Sequence, residues 1–542
     1  MNSHRNSRSR WGFRTGHALL AGLIGAGLVG SSLPAAAVAA ERSAADTQAV
    51  DYQAEDATIY RGQIDSDHSG FTGTGFVNYY NETGSYVEWT VQVAEVGSVA
   101  IGFRYANGTS TNRPMDIAVN GALAADNLGF GGTGSWPSWQ VSTATVTLNA
   151  GTNTIRATAV TSNGGPNVDK LTLGYDPPAV DWSTAVVEST MRRYTPGTLG
   201  GWSYTRGLYL YGQYLVYQRT GDPRYLAYIK SWADRFVDSS GNISQSFNNL
   251  DSMESGNVLL ILYRETGQSR YRIAAKKIRD RLRTYPRTSD GGWWHSTSDS
   301  RQGQLWADGV FMVNPFVIRY GQLFNDATWG NDESARQLQI YASHLQRTSG
   351  SAAGLLYHAY DQPGGLTASW VHPEYGYTNG LSWCRAIGWY GMAAIDLLEL
   401  LPSDHPRRAA LIGILRNLVA GFARHQDPAT GRWFQVVTHG SDSRNWTETS
   451  CSAMYSFTIS RAVERGYVDA SYRDVARRGY QGVLAKVSMG SNGLTYVRDI
   501  SIGTNVDDVV SYYYGRTRAT NDFHGLGAFL IMNEQMIRTG GG

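Results

Sequence analysis

Two cysteines in 542 residues are too few for a disulfide framework. Both, Cys384 and Cys451, fall in helix-like segments, so the expectation is two free buried thiols, with a single bridge as the other reading open to an exported chain. An excess of charge is also lacking. Lys and Arg number 47 against 45 Asp and Glu, a net charge of +2, which excludes the basic stripe of a dedicated nucleic-acid binder. The longest apolar run, ALLAGLIGAGLVG (18–30), is broken by Gly, Ser and Pro before it reaches the ~20 residues of a membrane span, so no membrane partner is expected. The helical region has no His or Cys cluster at metal-ligand spacing, so no cofactor is expected for catalysis.

Aromatics and glycine are abundant: 16 Trp, 33 Tyr and 62 Gly. Aromatic faces stack on the C–H faces of sugar rings, and they also build large cores; composition alone leaves both open. The first 40 residues read as an export signal. Arg5, Arg8, Arg10 and Arg14 precede the apolar run, small residues AAAVAA (35–40) follow, and no acidic residue occurs before Glu41. Paired arginines are absent, which favours general secretion, so the expected location is extracellular.

Two rhythms follow. Segments such as SYVEWTVQV (85–93), SVAIGFRYA (98–106), VSTATVTL (141–148) and NTIRATAV (153–160) alternate apolar and polar residues between Gly- and Asn-containing turns. They predict an antiparallel β-sandwich over 47–176. GYDPP (174–178) reads as a linker. From about Asp181, within a second region spanning 177–542, apolar residues recur at helical spacing, as in CRAIGWYGMAAIDLLELL (384–401). RTGDPRYLAYIKSWADRF (219–236) and ETGQSRYRIAAKKIRDRL (265–282) both place Gly four residues before Tyr, between one helix and the next. Repeated helical hairpins of this kind can close into a double-walled toroid or stay an open array.

LWADGVFMVNPFVIRYG (305–321) isolates Asp308 among apolar residues. Desolvation raises a carboxyl's pKa, which suits a general acid near neutral pH; a helix N-cap is the other reading. NLDSMESGNVLL (249–260) offers Asp251 in the same two senses. GLLYHAYDQ (354–362) carries His358, and LSWCRAIGWYG (381–391) carries Trp383, Arg385 and Trp389, with Arg385 and Trp389 on one helix face. An Arg fork between indoles suits a sugar carboxylate, or snorkels from a Trp-rich core.

The run from Trp202 to about Ile537 resembles glycoside hydrolase family 105, the unsaturated rhamnogalacturonyl hydrolases. GWSYTRGLYLYG (201–212), NLDSMESG (249–256), LWADGVFMVNPF (305–316), GLLYHAYD (354–361), WCRAIGWYGMA (383–393) and RATNDFHGLGAFL (518–530) occur in order. The resemblance implies an (α/α)6 barrel that hydrates the 4,5 double bond of a terminal uronic sugar. It further implies Asp308 as catalytic acid, Asp251 as a supporting aspartate, and Tyr204, His358, Trp383, Arg385 and Trp389 as substrate contacts. One departure is HSTSDSRQGQ (295–304), where relatives often carry Lys and this chain has Arg301. It weakens the expectation of rhamnose as the neighbouring sugar and keeps unsaturated glucuronyl ends as a second reading. A non-catalytic binding protein is a third.

The first region, through YQAEDATIYRG (52–62), GSYVEWTVQV (84–93) and GGPNVDKLTL (164–173), is similar to carbohydrate-binding module family 35. That similarity implies a structural Ca²⁺ on Gln53, Glu55 and Asp169 and sugar contacts from Trp139 and Asn167. The expected partner is therefore an oligosaccharide or polysaccharide containing uronic acids.

Overall fold

The computed structural model describes residues 49–175, 180–365, 367–490 and 492–540, which fall into two compact units dividing between Val180 and Asp181. The expected export signal lies outside the described residues.

The first unit is a sandwich of two antiparallel sheets. One has the order β3 (Gly62–Asp65), β4 (Phe76–Tyr79), β11 (Asn167–Leu173), β6 (Gly97–Ala106), β9 (Gln140–Leu148), with β1 (Val50–Gln53) also on β11. The other is β2 (Thr58–Tyr60), β5 (Tyr86–Val93), β10 (Gly151–Ala159), β7 (Met115–Val119), β8 (Ala122–Leu128). Alternation decides which side chains turn inward. Val87, Trp89 and Val91 of β5 are buried while Thr90 and Glu88 face out, and the register sets Ile155 opposite Trp89 and Ala157 opposite Val87. Trp89 then meets Phe103 of the facing sheet at 5.7 Å between ring centroids, joining the two sheets through the core.

The second unit is helical, and its main helices alternate between two walls. The outer wall holds α1 (Trp182–Arg193), α3 (Pro223–Ala233), α5 (Ser269–Arg283), α7 (Ala327–Leu345), α9 (Arg408–Arg424) and α11 (Arg473–Leu484). The inner wall holds α2 (Tyr204–Thr220), α4 (Gly256–Thr266), α6 (Ala307–Leu323), α8 (Cys384–Leu400), α10 (Thr449–Glu464) and α12 (Phe523–Arg538). Each inner helix packs on the next, and α12 packs on α2, so the ring closes as an (α/α)6 barrel. The repeat signal marks its hairpins: α2 and α4 end on Gly221 (φ 72°) and Gly267 (φ 69°), left-handed caps that glycine adopts without strain. Asp222 then accepts the Arg224 N–H to open α3, with Pro223 in its first turn. The inner helices are buried nearly all round, α8 from Cys384 through Ile395 without a break, because each lies between the barrel axis and the outer wall.

Candidate active site

The residues singled out in the helical region come together at one end of the barrel, where inner helices begin. Tyr204 is the first residue of α2, Asp308 the second of α6 and Arg385 the second of α8, while Asp251 opens a helical turn (Asp251–Glu254) just before α4. Helix N-termini carry partial positive charge, so their convergence suits an anionic ligand. Neither Asp251 nor Asp308 acts as an N-cap; those positions belong to Leu250 and Trp306.

A two-stranded ladder seats His358 against Asp308. β12 (Gln304–Trp306) pairs with β13 (Ala359–Asp361), Trp306 opposite Ala359, and the Ala307 N–H donates to the His358 carbonyl at 2.9 Å. His358 Nε2 then lies 3.3 Å from Asp308 Oδ2, and its Nδ1 lies 2.8 Å from the Tyr513 hydroxyl. On the far side His295 stacks on Trp306 at 4.1 Å and 7°, with its Nε2 4.0 Å from Asp251 Oδ1.

The two carboxyls are driven apart electrostatically. Burial and the charge on Asp308 push Asp251 up to about 7. Asp308 differs from the sequence expectation: burial raises it, but the contact with His358 and the fields of His358 and His295 outweigh burial and leave it below the usual carboxylate range. A desolvated position alone does not make a raised pKa when imidazoles face it. Burial also pushes His295 down to about 3.

The aromatic and cationic members sit deeper than their motif suggests. Trp383 donates its indole N–H to Gln435 Oε1 at 3.1 Å and lies 4.6 Å from the His358 ring, while Trp389 packs 4.8 Å from Phe311. Arg385 is buried, and its two Nη groups donate to the carbonyls of Ser501 and Ile502, with Glu448 Oε1 at 4.0 Å. The fork expected to stand open towards a sugar carboxylate thus has an edge occupied by backbone. Its charge still reaches Tyr204 and His524. The Tyr204 hydroxyl is 2.6 Å from His524 Nε2, and His524 Nδ1 is 2.6 Å from Asp522 Oδ1.

The two thiols are not free. Cys384 and Cys451 form a disulfide with their Cα atoms 5.6 Å apart. Helical periodicity places each cysteine on a helix but is silent on neighbours; α8 and α10 are adjacent in the ring, and their first turns meet. Glu448 locks the same corner, accepting the N–H groups of Ser450, Cys451 and Ser501. His295, Tyr513, Glu448 and His524 were missed in the sequence, where His295 gave only the signal of a histidine closing the Trp-rich stretch GGWWH.

In the sandwich, Gln53, Glu55 and Asp169 converge on residues 72–75. Gln53 Oε1 and both Asp169 oxygens accept from Thr72, and Glu55 Oε1 accepts the Thr74 N–H at 2.6 Å. Glu55 Oε2 is buried with no partner among the described residues, while Asp169 Oδ2 is also taken by Arg104 at 2.6 Å. An orphaned buried carboxylate oxygen beside two more oxygen donors fits a hard cation. Asn167 is buried at the start of β11. Trp139 is half-buried and spends its N–H on the Ser69 carbonyl. Trp136, which the sequence reading passed over, stacks near His68 at 5.8 Å with Arg113 over its ring.

Comparison with known proteins agrees with this division. The sandwich matches the carbohydrate binding module family 6 model over residues 53–174. Exo-beta-D-glucosaminidase of Amycolatopsis orientalis is 60% identical over 119 residues, 22% of this chain, which spans only 12% of that relative. For the barrel, the unsaturated rhamnogalacturonyl hydrolase YesR of Bacillus subtilis is 26% identical over 256 residues, 46% of this chain and 68% of the relative. A glycoside hydrolase from family 105 of C. acetobutylicum superposes with a TM-score of 0.62 at 31% identity, covering 66% of this chain and 99% of that one. The Glycosyl Hydrolase Family 88 model matches residues 182–539, and the chain belongs to that family.

Proposed function

We propose that the barrel removes the terminal 4,5-unsaturated galacturonyl residue from rhamnogalacturonan oligosaccharides left by a lyase, by hydrating the vinyl ether rather than attacking the anomeric carbon. The observation that carries this reading is the pair Asp251 and Asp308, which holds one proton near neutral pH with His358 against Asp308. The likeness to the rhamnogalacturonyl hydrolase supports the sugar class.

The proton resides on Asp251 in the free site. A bound uronate adds negative charge and excludes water, both of which raise the pKa of Asp308 and draw the proton onto it. Asp308 delivers it to carbon 4, and positive charge develops at carbon 5 and the ring oxygen. Water adds at carbon 5 and returns its proton to the carboxylate pair. The hemiketal opens by breaking the carbon 5–ring oxygen bond, and the hemiacetal left at carbon 1 releases the leaving sugar as an alcohol. The balance is substrate plus water, with the site's proton regenerated. Arg385 and the helix N-termini supply the positive field for the uronate.

A second reading, an unsaturated glucuronyl end on another lyase-cleaved polysaccharide, is favoured by Arg301 in the divergent 295–304 segment. We assign the sandwich to holding uronic-acid polysaccharide, with Ca²⁺ on Gln53, Glu55 and the shared Asp169, and the whole chain to the outside of the cell. Incubation with lyase-made oligosaccharides should abolish the ultraviolet absorbance of the double bond; unchanged absorbance on every unsaturated uronide would reject the enzyme reading.

A further inference from the structure

Arg301 lies in a single helical turn (Asp299–Arg301) ahead of β12, half-buried, with its guanidinium carbon 4.5 Å from the Trp306 ring. Its Nη2 donates to Asn505 Oδ1 at 3.1 Å, and no carboxylate among the described residues stands within 4.0 Å of it. The positive charge of Arg301 is felt at both Asp251 and His295, so it belongs to the mouth of the same site. Asn505 links it to a second cation. The Asn505 N–H donates to the Tyr512 hydroxyl at 3.0 Å, and Arg516 lies 5.1 Å over the Tyr512 ring while donating to the Gly503 carbonyl. Arg516 Nε is buried without an acceptor, and this guanidinium too has no ion pair among the described residues. Nearby carboxylates are engaged elsewhere: Asp299 accepts from Gln302, Asp507 from the Val509 N–H, and Asp508 faces His372.

Arginines elsewhere in the barrel can be compensated within the protein, as Arg319 is by Asp396 and Arg279 by Asp326. Two cations without a carboxylate partner among the described residues, joined through Asn505 and Tyr512, have a use if a second negative group arrives with the substrate. Resting on the unsaturated-uronide reading, we infer that Arg301 and Arg516 form a second anion-binding position at the mouth of the site, taking a carboxylate or sulfate ester on the leaving sugar. A neutral rhamnose leaves that position unused. The upstream reaction is then a lyase acting on a chain whose successive residues are acidic, or uronate alternating with sulfated sugar.

The test compares unsaturated disaccharides that share the terminal uronate and differ in the leaving sugar: neutral, carboxylated or sulfated. Wild type should favour one charged form over the neutral one by about tenfold in kcat/KM, and the carboxylated and sulfated arms identify which. Arg301→Gln and Arg516→Gln should each raise KM for that form, leave kcat near wild type, and hardly alter the neutral substrate. Arg301→Lys should recover part of the preference. Equal loss on charged and neutral substrates, or no preference in wild type, overturns the second anion position. Turnover of none of them rejects the unsaturated-uronide reading instead. In that case titration of saturated charged and neutral disaccharides into wild type and the double Gln variant still decides the position, because the sandwich is common to both. Weaker binding of the charged sugar alone supports it, and identical isotherms overturn it.

Discussion

His358 Nε2 faces Asp308 Oδ2 at 3.3 Å, and neither atom has another partner among the described residues. Two lone-pair acceptors do not sit buried against each other, so the imidazole turns an N–H towards the Asp308 carboxylate. Asp308→Asn keeps the size but cannot pass the proton drawn from Asp251 to carbon 4. Turnover should fall by ~10²–10⁴, with folding and binding of a saturated product analogue retained. Retention of more than about a tenth of wild-type activity would move the acid to Asp251.

Asp251 is the proton store of the free site, with a pKa of about 7. Activity of the wild type should therefore decline as pH rises through about 7. Asp251→Asn leaves the proton to Asp308 alone, which releases it at lower pH, so the alkaline limb should shift to acid. A profile that does not move between wild type and Asp251→Asn would separate the two carboxyls.

The same shift carries a sign for stability. The folded Asp251 keeps its proton up to about 7, whereas an unfolded aspartate loses it near ~4. Folding then takes up a proton between those values, and stability is lost across that interval as pH rises. Asp251→Asn should melt close to wild type at pH 4 and above it at pH 8. A constant difference in Tm across that range would contradict the shift.

Much of this architecture was legible in the sequence, and its limits have one cause. The alternation around Val87, Trp89 and Val91 and the Gly-to-Tyr spacing at Gly221 and Gly267 are local signals, and both wrote themselves into the fold. Motif order likewise brought Asp308, Asp251, His358 and Tyr204 to one barrel end. What sequence could not supply was contact between distant segments. The partners of Arg385 at Ser501 and Ile502, the imidazoles that lower Asp308, and the meeting of Cys384 with Cys451 depend on which helices are ring neighbours.

That disulfide closes a loop of 67 residues and should contribute about 4 kcal/mol by restricting the unfolded chain. Cys384→Ser with Cys451→Ser should lower the melting temperature of the barrel and loosen Trp383 and Arg385, whose helix the bond anchors. Peptide mapping without reductant should recover the two cysteines joined. Two separate thiol peptides from unreduced protein would contradict the bond.

Calcium should raise the unfolding temperature of the sandwich, about 2.7 kcal/mol of stabilisation when present at a hundred times its dissociation constant. Glu55→Gln should remove most of that response, and chelator should leave turnover of a disaccharide unchanged. A transition indifferent to calcium and chelator would exclude the ion from Gln53, Glu55 and Asp169.

Turnover in deuterium oxide tests the hydration chemistry most directly. If Asp308 protonates carbon 4, the freshly released uronic product carries one deuterium at carbon 4, on one face only, and Asp308→Asn forms no such product. Attack at the anomeric carbon would instead release the unsaturated sugar with its double bond intact, and any deuterium acquired later would be spread over both faces of carbon 4.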